Sequence, residues 1–538
     1  VAEAPVTSKH EPKFSDSQSC KDWLRGLPLT NVNLAHAEII TQLTLLNRNG
    51  RAIPPLERLK ILELLREPVA FLQGQQVKRY QTKPLPFSHA DQACWDDAME
   101  LWQSMETGYR LCLEHCGEGG ELREHRALIT QRCLRYVSHR MTEYYHAYRE
   151  LPKELWRDLH ALYRDAEAAS IGSQPLRDRL NHYLNATTCA ATYVQALLTY
   201  LANPYQLSPR QLALTGELLD KWSPRCTLAS QPPDPRHFAS IGVAQAGDGP
   251  PAHLEGNATA PRYLDTTRLG GTLSQRIKWL QGHNKPQEVG LPEDCTQPAC
   301  GALLLSLYQL WCGGRPRRAM QRRKAVPKAE VCFGFPAMYY HQTGKPYAPP
   351  KVGPFYGVRE MEDLRLFGQA ATRDTVSFKV ETADHPLEVW DIRDESAQGY
   401  GLERLPGKGA PVLHYQLLAI RPFDSEHFAL GHIRWLTFDG GNSLQTGITL
   451  LPGTPSPTIV RIAGGNDPDP RTEPAFLLPN VPALKEPASL VTPPGFYRPD
   501  ALLELHGRDS PIIVKLTGLL EKGADFERMS FALETGKT

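Results

Sequence analysis

The hydrophobic period changes once along this 538-residue chain, from helical spacing to strict alternation, and that change divides the molecule. From Cys20 to about Pro224, apolar residues recur every three or four positions. Trp95, Met99, Trp102, Met105 and Tyr109 do so, as do Leu155, Leu159 and Leu162. That step places side chains on one face of an α-helix. Leu56, Leu59 and Leu62 follow Pro54-Pro55, a pair suited to a first helical turn. Turn residues punctuate the runs at Asn49-Gly50, Pro84 to Pro86, Gly117 to Gly120, Pro152 and Asn203-Pro204. About eight helices are expected, packed as antiparallel pairs because the links are short. No convincing repeat at a helical-repeat period is present, although a run of helical hairpins keeps a solenoid open.

After Ala325 the helical period almost vanishes. Val376, Phe378 and Val380 alternate, as do Leu413, Tyr415, Leu417 and Ala419, and then Leu444, Thr446, Ile448 and Leu450. Pro406-Gly407, Asp439 to Asn442 and Pro452-Gly453 supply turns between them. Alternation with turns at this spacing predicts an antiparallel barrel or sandwich. A further hairpin is expected where Leu502 to Leu505 and Ile512 to Val514 flank His506 to Pro511.

The fold class is therefore α+β and multidomain: an all-α N-terminal bundle or hairpin array, then a C-terminal antiparallel barrel with extra strands. The expected division is a disordered arm over 1–20, a helical domain over 21–225, and a mixed segment over 226–314. A barrel over 315–466 and a β extension over 467–538 follow. Within the mixed segment, Pro and Gly crowd Gln231 to Pro261, which reads as a linker or irregular loop. Helices are expected over Leu273 to Gln281 and Cys300 to Trp311, the second stopping at Gly313-Gly314. Tyr340 to Arg373, rich in Pro, Gly and Tyr, reads as a long insertion into the barrel, mobile in expectation.

Charge and cysteine usage narrow the function classes. Lys and Arg total 60 against 59 Asp and Glu, a balance unlike that of a chain built to coat nucleic acid or an anionic membrane. No apolar run approaches the ~20 residues of a membrane span. The first twenty residues lack the apolar core of a signal peptide, and eleven scattered cysteines fit reduced thiols better than a disulfide framework. The expected setting is the cytoplasm.

Catalytic signatures are missing. The sequence has no phosphate loop of the Walker kind, no His-Glu-x-x-His helix and no Gly-x-Ser-x-Gly elbow. Cys112 and Cys116, beside His115, and the looser set Cys295, Cys300 and Cys312 lack zinc spacing and read as buried thiols. No enzyme activity, metal or cofactor is expected.

A basic cluster stands at the entrance to the β half: Arg315, Arg317, Arg318, Arg322, Arg323 and Lys324. Guanidinium forks bind phosphate oxygens and the O6/N7 edge of guanine. The same run also reads as a solvated linker or a weak nucleic-acid patch. Further on, Asp394-Glu395-Ser396-Ala397-Gln398-Gly399 follows an expected strand over Leu387 to Ile392. A carboxylate accepts from guanine N1–H and the N2 amino group, and a hydroxyl donates or accepts beside it. Glycine lets the chain turn close to a flat ligand. Asp, Ser and Gly also make ordinary hairpin links.

Arg318-x-x-x-Arg322, a strand over Val331 to Phe335, and then Asp394-x-Ser396-x-x-Gly399 resemble, in that order, the PilZ family of cyclic di-GMP receptors. The resemblance implies a six-stranded antiparallel barrel acting as a binding module, with later strands over Val412 to Ile420, Phe428 to Phe438 and Leu444 to Leu450. It implies that Arg318 and Arg322 grip guanine edges and phosphates while Asp394, Ser396 and Gly399 form the barrel side of the site. Arg322 and Asp394 are 72 residues apart, longer than the family's usual spacing.

Among neighbouring residues, Tyr400 has the better claim to ligand contact, and Trp435, on an apolar strand, reads as core. Arg393 is either a third phosphate partner or a strand-end charge. The expected function is a cyclic di-GMP receptor whose helical half engages a protein partner, such as pilus, flagellar or exopolysaccharide machinery. Specific nucleic-acid binding is not expected. The alternative is a scaffold with a degenerate barrel that binds no nucleotide.

Overall fold

In the computed structural model, the residues described are 11–48, 53–234, 240–254, 258–282, 285–313, 328–349, 385–407, 409–439, 443–463, 471–506 and 511–533. They belong to two compact units, Val1–Ala319 and Met320–Thr538.

The first unit opens with α1 (Ser17–Arg25), α2 (Val32–Arg48), α3 (Pro55–Gln76), α4 (His89–Leu113), α5 (Arg126–His146) and α6 (Lys153–Ala168). A short ribbon of β1 (Leu176–Arg177) and β2 (Ala186–Thr187) precedes α7 (Cys189–Leu201) and α8 (Pro209–Trp222). Local chemistry starts these helices where the sequence places them. Asp16 caps α1 by accepting from the Gln18 and Ser19 amides, and Ser208 caps α8 in a reciprocal box with Gln211. Leu59, Leu62, Leu101, Met105, Leu159 and Leu197 all lie in one continuous core.

Where the sequence read as a linker, four very short strands form a sheet in the order β3-β6-β4-β5: β3 (Thr227–Ala229), β4 (Ile241–Val243), β5 (Ala252–His253) and β6 (Arg262–Asp265). Runs of two to four residues are too short to show a period, which is why the sequence hid them. Then come α9 (Thr267–Gln281) and α10 (Ala299–Trp311). Cys295 and Cys300 are joined as a disulfide, a departure from the free-thiol expectation. The loop before α10 brings their Cα atoms within 5.2 Å. The other nine cysteines are free and buried, Cys112 and Cys116 among them.

The second unit is built from two closed six-stranded barrels. The first contains β7 (Lys328–Phe333), β8 (Glu388–Ser396), β9 (Gly399–Arg404), β10 (Leu417–Pro422), β11 (Ala429–Phe438) and β12 (Leu444–Leu450). Its order is β10-β11-β12-β9-β8-β7, closed by pairing of β7 with β10. Between β7 and β8, α11 (Phe335–Thr343) occupies the start of the expected insertion. Residues 350–384, and with them the expected strand Val376 to Val380, lie outside the described residues.

The extra strands do not extend that barrel. They close on themselves as β13 (Ser456–Ile462), β14 (Thr472–Leu478), β15 (Ser489–Thr492), β16 (Leu502–His506), β17 (Ile512–Lys522) and β18 (Glu527–Leu533), in the order β13-β14-β15-β18-β17-β16. β13, read in the sequence as part of the first barrel, pairs with β14 and β16. One buried cluster, including Phe335, Met338, Leu417, Leu430, Phe476, Val491 and Phe526, draws on both barrels.

Candidate functional site

The hexapeptide of interest is itself a hairpin. β8 runs through Ser396, Ala397-Gln398 makes a two-residue turn, and β9 begins at Gly399. Asp394 and Ser396 are therefore strand residues, not loop residues beyond a strand. The Ser396 hydroxyl donates to the Gly399 carbonyl at 3.2 Å. Gly399 is small for a reason unconnected with a ligand. A Cβ there would lie 1.9 Å from the Ile448 carbonyl oxygen, because β12 presses directly against it.

A bulge between Ile392 and Asp394 makes Arg393 the extra residue of β8. Arg393 Nη2 pairs with Glu403 at 2.7 Å, and Ser443 Oγ donates to the same carboxylate at 2.7 Å. The Ser443 hydrogen bond and then, against some desolvation, Arg393 hold the Glu403 carboxyl below its usual range. Arg393 is thus a paired, half-exposed strand charge.

Register places four residues in one row across four strands. Asp394 faces Gly401, Gly401 faces Gly447, and Gly447 faces Trp435. Residues directly opposite in a sheet share a face. The neighbours Ile392, Leu402, Thr446 and Leu436 are buried and face the barrel interior, so the row lies on the outer surface. The Trp435 ring covers the Gly447 position: a Cβ on Gly447 would meet the indole nitrogen at 1.9 Å. Trp435 is half-buried. A carboxylate and a hydroxyl thus stand at one end of a glycine-floored stripe, with an indole at the other.

Trp435 departs from the expectation of a core residue, and the cause is specific. Strict alternation from the buried Ile433 turns residue 435 inward, but a bulge between Ile433 and Trp435 reverses the parity. Tyr400 departs in the other direction. It pairs with Glu395 and Ile448, on the face opposite Asp394 and Gly401. Burial, then Glu395 and Asp424, raise its phenol above the ordinary range.

Arg318 and Arg322, with the whole basic run from Arg315 to Lys324, lie outside the described residues. The structure brings together Asp394, Ser396 and Gly399, and leaves the arginine half of the expected set undescribed. Lys328, the first residue of β7, pairs with Asp391 of β8. Among the described residues, no group of three or more His, Cys, Asp or Glu could hold a metal ion. Among them, too, no helix is long and apolar enough to cross a membrane.

Two families match the chain. Residues 18–234 match "Cyclic-di-GMP receptor FimW, N-terminal domain", and residues 458–534 match "FimW C-terminal beta-barrel domain". These are the helical region and the second barrel, and the first barrel lies between them. The cyclic-di-GMP receptor FimW of Pseudomonas aeruginosa is 21% identical over 532 residues, covering 91% of this chain and 86% of that protein. The chain is thus similar to FimW in its helical region, in its second barrel and, more distantly, along most of its length.

Proposed function

We propose that this chain is a FimW-like cytoplasmic receptor for cyclic di-GMP, and that the ligand sits on the outer face of the first barrel. The carrying observation is the row from Asp394 through Gly401 and Gly447 to Trp435. Gly401 places no side chain between Asp394 and the indole of Trp435, which itself lies over Gly447. Asp394 accepts from the guanine N1–H and N2 amino group, and Ser396 sits on the same face one row away. The indole of Trp435 supplies a stacking surface for a purine. Arg318 and Arg322 supply the cationic half, gripping phosphates and the O6/N7 edge. Arg322 precedes Lys328 by six residues, a reach of at most about 20 Å from the strand beside β8. The name of the P. aeruginosa relative supports the same ligand. In this reading the site works by binding, through donors, acceptors and a ring. The helical unit then reports the bound state to a protein partner.

Calorimetric titration of cyclic di-GMP into the full chain tests this, with Arg322→Ala, Asp394→Ala and Trp435→Ala measured alongside. Saturable binding is expected, weakened at least tenfold in each variant. Loss of one stacked ring corresponds to about 1–3 kcal/mol, roughly 5- to 150-fold, a range whose middle lies above tenfold. Protection of peptide bonds between Arg315 and Lys328 on ligand addition is the matching proteolytic signature. Absence of heat at high ligand concentration leaves the degenerate-scaffold reading. Binding unaffected by Asp394→Ala and Trp435→Ala moves the site elsewhere.

A further inference from the structure

The helical unit contains a larger recess, a cleft of about 930 Å³, that the nucleotide reading does not use. One wall is a face of α3, on which Leu56, Lys60, Glu63, Leu64 and Glu67 recur at three- and four-residue steps. The start of α5 and the segment 174–180 form the others. Five leucines lining the cleft, Leu56, Leu64, Leu128, Leu176 and Leu180, are only half-buried. Apolar surface left open in one concave strip marks a binding surface.

The charges around it are of two kinds. Beneath the leucines, Arg132 Nε meets Glu63 at 2.9 Å and its Nη1 meets Asp178 at 3.3 Å. Arg66 meets Asp178 at 2.7 Å. Every carboxylate of that buried network is matched by a guanidinium, so the network is structural. At the rim, by contrast, Lys21, Arg177 and Arg179 are exposed, and among the described residues no carboxylate pairs with them. Of the six Lys and Arg side chains in the lining, Arg66 and Arg132 belong to that matched network and Lys60 pairs with Glu57 at 2.7 Å, which leaves Lys21, Arg177 and Arg179 as the rim cations beside Glu67 and Glu124.

We propose that this cleft is a protein-docking groove for an acidic amphipathic helix of a partner. Leucine walls at helical spacing receive an apolar face with residues at i, i+3, i+4 and i+7, and the cationic rim receives its flanking carboxylates. The lining contains no Phe, Tyr or Trp, and its one aromatic ring is the His125 imidazole, against five half-buried leucines. The leucine walls therefore favour an amphipathic peptide over a nucleotide, although the cationic rim attracts carboxylates and phosphates alike. The inference does not rest on the barrel site.

Fluorescence anisotropy on the full chain tests it. The probe is a labelled sixteen-residue helix with leucines on one face and glutamates on both flanks, and its control carries lysine at each glutamate position. The acidic probe is expected to bind at least tenfold more tightly than the control. Its affinity is expected to fall at least tenfold in the Arg177→Glu/Arg179→Glu double variant and to weaken with added salt. A photo-crosslinking version of the probe is expected to label α3 between residues 56 and 67, Leu128, or 174–180. Cyclic di-GMP affinity in the double variant stays at the parental value, so failure of the groove and failure of the nucleotide reading are separable. Equal binding of both probes, undiminished binding in the double variant, crosslinks elsewhere, or displacement of the acidic probe by a mononucleotide overturns the proposal.

Discussion

Gly399 and Gly447 show how much one hydrogen atom in place of a side chain decides here. At Gly399 a methyl group would sit 1.9 Å from the Ile448 carbonyl oxygen, which is backbone and cannot rotate away. Gly399→Ala is expected to cost about 1–3 kcal/mol, the price of forcing extra atoms into a packed site. The urea midpoint of the barrel unit reads it. Ser396→Ala is the contrast, because it removes a single 3.2 Å bond to the Gly399 carbonyl. A loss near 1 kcal/mol is expected there. Equal midpoints for the two variants would show that β12 yields to the methyl group. The hexapeptide was legible in the sequence as a chemical set, because Asp, Ser and Gly at that spacing stand out between alternating runs. What the set does locally was not legible. The glycine makes room for a strand, and Trp435 faces out because of a bulge that no count of alternating residues can detect.

At the scale of elements, α5 is the least legible helix and the most informative one. Its buried face carries Thr130, Gln131, Arg132 and Glu143, so the apolar period that reveals α4 is interrupted. His139 on this helix stacks on Trp102 at 4.4 Å. Burial, followed by Arg135, pushes its imidazole down to about 3. The unfolded chain titrates the same group near 6.5, so between those values the unfolded state binds the extra proton. Stability is therefore full above about pH 6.5 and declines as pH falls toward 3. At pH 5 the loss from this residue is up to about 2 kcal/mol relative to pH 7. His36, His160 and His432, also lowered chiefly by burial, act in the same direction.

Below about pH 4.3 the carboxylates add to the loss. Glu143 is desolvated, yet His146, Tyr80 and the Trp102 indole hold its carboxyl below the ordinary range. Asp178 is also lowered, as Arg66 and Arg132 outweigh its desolvation. Both contribute stability above their unfolded values that disappears as pH falls through their folded ones. Urea unfolding at pH 5 and pH 7, with His139→Gln beside the parent, separates the histidine leg. The variant is expected to lose part of the difference between the two pH values. An unchanged difference would show that His139 is protonated at no cost.

At the scale of the molecule, the two-part character was legible because the hydrophobic period itself changes, but the second barrel was not. Pro452-Gly453 after Leu450 reads as one more turn of a continuing meander, and only register shows that β13 leaves the first barrel. The barrels are nevertheless joined by a common core. Phe526 of the second stacks near Tyr415 and His432 of the first, Asp525 accepts from the Leu417 amide at 2.8 Å, and Glu521 accepts from the Tyr415 hydroxyl at 2.8 Å. Removing a fully buried phenylalanine costs about 3–5 kcal/mol. Phe526→Ala is therefore expected to lower the melting of both barrels together, whereas the helical unit has a separate core. Scanning calorimetry of the full chain should resolve two transitions. Cyclic di-GMP at a hundredfold excess over its Kd adds about 2.7 kcal/mol to whichever unit binds it. For a unit of this size that is a rise of about 5–10 °C. The proposed site assigns the rise to the transition that Phe526→Ala also moves. A rise confined to the other transition would place the ligand on the helices and remove Asp394, Ser396 and Trp435 from the site.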